Sequence, residues 1–172
     1  MLELATLGLL QGEPLNGYRL KQQLELFMSG CISANYGAIY PLMRRLEQKG
    51  LICVIIDPES KHGASGKIYR ITATGKARWH QKMMEQPQES WVHARSRFMI
   101  KFFFFSYLES AERLKLLENR LIKCQSRLAD KDMEELPDDP YQAAAWQRFK
   151  LVIETEISWL SEQILLEQKK LV

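Results

Sequence analysis

Tyr36, Tyr40, Arg44 and Gln48 stand four residues apart, so on a helix they form one exposed stripe of phenol, guanidinium and amide groups. Such groups exchange hydrogen bonds and carry positive charge, the chemistry needed to hold phosphates and read base-pair edges. Arg44 is the strongest reader among them, because a guanidinium binds phosphate or guanine in bidentate fashion; a surface ion pair with Glu47 is the competing role. Tyr40 is either a half-buried core tyrosine or, lying opposite the apolar face, a phosphate or base contact. Just before the stripe, Asn35 is placed to read adenine or to act as a second cap. Ser33 is first of all a helix cap, with phosphate contact secondary.

The helix that presents this stripe is predicted from Ile39, Leu42, Met43 and Leu46, whose i, i+3, i+4, i+7 spacing makes one buried face. Lys49-Gly50 ends it with a cation at the negative pole and a glycine for the left-handed cap. Pro41 lies inside it, opposite the carbonyl of Gly37, which has the freedom to adjust; a bent helix is expected, not a broken one. Two strands follow, Leu51–Ile56 and Lys67–Ile71, joined by residues 57–66, whose proline, glycines and small polar groups make a long hairpin loop. That loop is the candidate wing, and Lys61, His62 and Lys67 are its candidate DNA contacts.

Upstream, the nearly all-round apolar Leu2, Ala5, Leu7, Leu9 and Leu10 predict a buried first helix that stops near Gly12. Asn16 caps a second, Gly17 to about Phe27, and Ser29-Gly30 breaks it. Thr72 caps a fourth that runs through Trp79 to about Met84. The pattern predicts a mainly α chain with a small β-hairpin wing: a winged helix-turn-helix domain over residues 1–86 and a helical dimerisation domain over 87–172.

In the second half, Phe98, Phe102 and Phe105 share a helical face that Phe103 and Phe104 widen. Ser110 is placed to cap a helix whose Leu114, Leu117, Leu121, Cys124 and Leu128 follow the 3-4 spacing of a coiled-coil seam. An acidic connector, residues 131–140, leads to a last helix over 141–172. One stripe of it carries Trp146, Phe149, Ile153, Ile157, Leu160 and Ile164; a second carries Ala145, Val152, Trp159 and Leu166. A helix with two apolar faces needs two partners, and a second copy of the chain is the economical one. Trp146, Phe149, Val152, Ile153, Ile157, Trp159, Leu160 and Ile164 are therefore the expected dimer interface.

Charge is divided along the chain. Residues 1–82 hold 11 Lys/Arg against 6 Asp/Glu, a formal +5, and the remainder holds 13 against 15, a formal −2. The excess sits with the stripe, where a two-fold dimer would double it. Three unclustered cysteines, Cys31, Cys53 and Cys124, favour reduced thiols in a cytoplasmic protein. The greasiest segment, Phe98 to Leu108, is far shorter than the ~20 apolar residues of a membrane span, and no secretory leader opens the chain. His62, His80 and His93 lack metal-ligand spacing, and no nucleophile elbow, P-loop or dinucleotide fingerprint occurs. No catalytic residue, metal or cofactor is expected.

Taken together these residues resemble the PadR family of bacterial winged-helix transcriptional regulators. Leu7-Gly8-Leu9-Leu10 with Pro14-Leu15-Asn16-Gly17-Tyr18-Arg19-Leu20 is similar to that family's first helix and turn. Gly37-Ala38-Ile39-Tyr40-Pro41-Leu42, Arg45-Leu46-Glu47 and Gly50-Leu51-Ile52 resemble its recognition helix, the proline included. Lys67-Ile68-Tyr69-Arg70-Ile71-Thr72 with Gly75 resembles its second wing strand and fourth helix. The resemblance implies a homodimer that binds an imperfect palindrome near a promoter and usually represses. Two positions depart from it. Ser65-Gly66-Lys67 offers one cation beside the more distant Lys61 where the family often has several, and Ala38 replaces a common Ser or Thr.

Two classes of function compete on the sequence: a dimeric DNA-binding repressor, and a winged-helix protein-interaction module with an incidental basic face. The tryptophans Trp79, Trp91, Trp146 and Trp159 read first as core or interface; clustered at a dimer interface, they could also accept a flat hydrophobic effector.

Overall fold

The structure, a computed structural model, describes residues 1–28, 36–56, 67–130 and 137–170. They form two compact units, Met1–Tyr107 and Leu108–Val172. The expected division after residue 86 thus falls inside the first unit.

Unit 1 opens with α1 (Leu2–Gly12), in which every residue from Leu4 to Leu10 is buried, as its all-round apolar sequence requires. A two-residue strand β1 (Leu15–Asn16) leads into α2 (Gly17–Met28). Asn16 caps α2 as expected: its Oδ1 accepts from the Arg19 amide at 2.8 Å. Helix α3 (Tyr36–Gln48) is unbroken through Pro41. It inserts Ile39, Leu42, Met43 and Leu46 into a core shared with Leu4, Leu7, Leu20, Leu24 and Met83. Each such side chain contributes about 1.5–3 kcal/mol by leaving water.

The end of α3 is fixed by its glycine. Gly50 has φ +66°, and the Gly50 and Leu51 amides donate to the Glu47 and Leu46 carbonyls at 2.9 Å each, a Schellman closure. Strands β2 (Ile52–Ile56) and β3 (Lys67–Ile71) then pair antiparallel, Ile52 opposite Ile71 and Ile56 opposite Lys67. β1 adds to the free edge of β3, Leu15 opposite Tyr69, so the sheet has three strands in the order β1-β3-β2 where a two-stranded hairpin was expected. α4 (Ala73–Met84) starts on Thr72, whose Oγ1 accepts from the Gly75 amide at 3.0 Å.

α5 (Trp91–Phe103) belongs to the same unit and stops sooner than the phenylalanine run suggested. Phe104 ends it and a 3₁₀ turn, Phe105–Tyr107, follows. The break seats the Phe104 ring on Gly8 of α1, where a Cβ would lie 2.5 Å from the ring. Trp79 of α4 meets Phe104 and Tyr107 edge-on, at 6.3 and 6.1 Å between ring centres. The Lys101 ammonium, buried, donates to the Glu85 carbonyl at the end of α4.

Unit 2 is an antiparallel pair, α6 (Ser110–Leu128) and α7 (Pro140–Lys169). Ser110 is the first residue of α6, and the cap is Glu109, whose amide donates to Glu112 Oε2 at 3.1 Å. The seam of α6 is rotated from the expected Leu114, Leu121 and Leu128, which are half-buried, to Leu116, Leu117, Arg120 and Cys124. Arginines seven residues apart follow this face. Arg113 Nε donates to Glu167 at 2.8 Å, Arg120 Nε to Glu156 at 2.8 Å, and Arg127 stands 5.8 Å from the Phe149 ring centre.

This pairing changes the expected interface on α7. Ile153, Leu160 and Ile164 are buried within the single chain, because α6 covers them. Trp146, Phe149, Val152, Ile157 and Trp159 are half-buried. Exposed apolar area on α7 lies at Tyr141, Leu151, Leu165 and Leu166.

Candidate nucleic-acid interface

On α3 the apolar face is buried and Ala38, Tyr40, Pro41, Arg44, Arg45 and Gln48 are exposed. Tyr40 is 56% exposed. Its ring lies against the start of α2: a Cβ on Gly17 would sit 3.1 Å from the Tyr40 ring and 3.7 Å from its hydroxyl oxygen. Glycine at position 17 lets the phenol approach this closely.

Arg44 and Arg45 are both exposed, and among the described residues neither forms an ion pair, so the pairing of Arg44 with Glu47 is absent. No acidic residue occupies the first turn of α2 or α3, so nothing there opposes an approaching polyanion.

The sheet supplies two more members. Lys67 is exposed at the wing end of β3. Tyr69, two residues on and so on the same sheet face, is buried in the middle of the sheet between Leu15 and Val54. Burial pushes its phenol above the ordinary tyrosine value; Glu47 and Tyr40 add to the rise, and Arg44 opposes it. Tyr69 thus lies within electrostatic reach of Tyr40, Arg44 and Glu47 on α3. Its role was missed in the site reading, although the alternation Lys67, Tyr69, Ile71 carries the signal. Ser33, Asn35, Lys61 and His62 lie outside the described residues, and Tyr36 is placed at the first position of α3 by its backbone.

Chemically, the surface offers one phenol, two guanidiniums, an amide and one ammonium. Among the described residues no group of three or more His, Cys, Asp or Glu can hold a metal. No described helix is long and apolar enough to cross a membrane.

No curated protein matches the chain. Among solved structures, Bacillus subtilis PadR in complex with operator DNA is 24% identical, with 96% of this chain and 98% of that one covered and a TM-score of 0.48. The same regulator in complex with p-coumaric acid is 25% identical over 97% and 98%, with a TM-score of 0.46. The Vibrio cholerae virulence activator AphA is 15% identical over the whole of both chains, with a TM-score of 0.45. Residues 94–167 match the model of the virulence activator alpha C-terminal domain. Residues 6–81, which hold most of α1, the sheet and the exposed stripe of α3, match the transcriptional regulator PadR-like family model.

Proposed function

We propose that this chain is a PadR-like transcriptional regulator that binds a pseudo-palindromic promoter site as a homodimer and represses from it, with α3 as the reading helix. The observation that carries the reading is the exposed Arg44, without an ion pair among the described residues, beside an exposed Tyr40 on a helix whose apolar face is buried. Arg44 reads a base, Tyr40 and Lys67 hold phosphates, and Ser33, Asn35, Tyr36, Lys61 and His62 complete the contact set. The dimer forms through unit 2, on the apolar strip of α7 that α6 leaves uncovered. Reading helices of a two-fold dimer enter successive major grooves about 34 Å, or ~10 base pairs, apart. Recovery of bound DNA from cells, followed by footprinting as the spacer between half-sites grows by half a turn, tests this. Flat affinity across the series rejects the rigid dimer and returns the protein-interaction reading.

A small hydrophobic effector belongs to the proposal. Unit 1 carries an open groove of about 490 Å³, lined in part by Gly8, Gly12, Gln23, Phe103, Phe104 and Tyr107, large enough for a single flat ring system. The site differs from the tryptophan cluster that the sequence suggested. Calorimetric titration with planar aromatic acids tests the groove; heats unaffected by Gly12→Leu would place the effector elsewhere.

A further inference from the structure

The open groove of unit 1 contains one charged side chain. Glu13 lines it together with Gly12, Gln23, Phe103, Phe104 and Tyr107, and no Lys, Arg or His is among the described residues that do. Glu13 is exposed, and among the described residues its carboxylate forms no ion pair. It follows directly on the end of α1, whose last turn holds no basic residue. The final carbonyls of a helix lack intrahelical donors and carry the negative end of its dipole. Glu13 therefore adds negative charge at a place where a cation is the stabilising group.

The rings of the same groove suit a positive guest. Phe103 and Tyr107 are 46% and 47% exposed, so part of each ring is open to a ligand. Both are held from behind: Phe103 meets Phe104 edge-on at 5.1 Å between ring centres, and buried Trp79 meets Tyr107 edge-on at 6.1 Å. The Tyr107 hydroxyl stands over Gly12, where a Cβ would lie 3.0 Å from its oxygen. That phenol oxygen is thus set beside the residue next to Glu13. Aromatic faces are negative and attract a cation, more strongly as water is excluded.

We propose that this groove takes a flat aromatic cation, its ring against Phe103 and Tyr107 and its ammonium toward Glu13. The inference rests on the effector reading above and names the charge of the ligand. An ammonium has three hydrogens to donate; the Glu13 carboxylate, the Gln23 amide oxygen and the Tyr107 hydroxyl oxygen are acceptors for them. An aromatic acid of the same ring fits the same walls, but its carboxylate meets Glu13 and a negative helix end with no cation to offset them. The groove therefore ranks amines above acids.

The test titrates the full chain calorimetrically at neutral pH with three ligands of one ring: 2-naphthylmethylamine, 2-naphthylmethanol and 2-naphthoic acid. The amine should bind tighter than the alcohol by roughly fivefold or more, and the acid should be weakest. The gap between amine and alcohol should narrow as salt is raised. Glu13→Gln should bring the amine close to the alcohol and leave the alcohol as it was, with thermal melting unchanged because the side chain is exposed. If the alcohol or the acid binds, with heats that Gly12→Leu removes, and the amine is no tighter, the cation assignment is wrong while the effector reading stands. An amine advantage that survives Glu13→Gln also overturns the assignment. If none of the three binds, or Gly12→Leu leaves their heats untouched, both readings fail.

Discussion

Arg120 Nε donates to Glu156 Oε1 at 2.8 Å across the α6–α7 seam, with the arginine side chain 3% and the glutamate 8% exposed. Removing one partner leaves a buried charge uncompensated, so Arg120→Met should destabilise the chain by about 3–5 kcal/mol. Replacing both, Arg120→Met with Glu156→Leu, should recover most of that loss. Urea unfolding followed by circular dichroism checks it; an equal loss in the single and double variants would refute the account.

Two carboxylates should govern the acid limb of stability. The Arg97 hydrogen bond leads in holding Glu89 below the ordinary glutamate value. For Glu167, burial pushes upward, but hydrogen bonds from Lys170 and Arg113 outweigh it and the net shift is down. A depressed carboxylate contributes stability that is complete above the ordinary value near 4.5 and is lost as pH falls through the folded value. Glu89→Gln and Glu167→Gln should each lower stability at neutral pH and flatten its dependence below that point. Melting temperatures across an acid series read the slope, and parallel curves for variant and wild type count against both assignments.

The glycines at the end of α3 and the start of α4 should differ in cost. A Cβ on Gly75 would stand 2.0 Å from the Leu51 carbonyl oxygen. Gly75→Ala should therefore cost on the order of 3 kcal/mol or more, since backbone has to move. Gly50 meets nothing within 4 Å, so Gly50→Ala bears only its positive φ, about 1–2 kcal/mol. Chemical denaturation ranks them, and the reverse order would contradict the close approach.

Arg44 and Lys67 should fail differently on DNA. Arg44→Ala should cost about 1–3 kcal/mol and relax preference at one position per half-site, whereas Lys67→Ala should weaken all sequences alike and lower the salt slope by about one. Binding to a panel of single-substituted sites separates these patterns. Identical profiles for the two variants would remove the base-reading role.

Along α7, Leu160 and Leu165 should also part company. Leu160 is fully buried under α6, so Leu160→Glu should unfold unit 2, while Leu165, 58% exposed, can become Glu without harm to the helix pair. Leu165→Glu with Leu151→Glu should give a folded monomer in sedimentation. A folded dimer for that pair would move the interface off this strip.

How much was legible follows from what hydropathy records. α1 to α4 were readable because their apolar residues recur at helical spacing and Asn16, Gly50 and Thr72 mark their ends. β1 was not, since two residues show no alternation and their partners lie more than fifty positions away in the chain. The end of α5 was hidden because Phe102–Phe105 is apolar without a break, and only the fit of Phe104 on Gly8 stops the helix. In α6, the inward face was not legible in full, because the pairing of Arg113 and Arg120 with Glu167 and Glu156 leaves no trace in an apolar count. The exposed stripe at Tyr40 and Arg44 was plain from spacing; Tyr69 needed the sheet register.

One oxygen atom restricts how this protein can change its preference. The Leu51 carbonyl, just past the end of α3, accepts from the Thr72 amide at 3.1 Å while the Thr72 hydroxyl donates to the adjoining Gly50 carbonyl at 2.7 Å, and Gly75 closes over the Leu51 oxygen. Helix α3 therefore cannot tilt or slide without uncapping α4. On the proposed reading, new specificities arise by exchanging side chains at positions 40, 44, 45 and 48 on a fixed helix, and grafting a PadR-like regulator's residues onto them should transfer its operator while Ile39, Leu42, Met43 and Leu46 stay as they are.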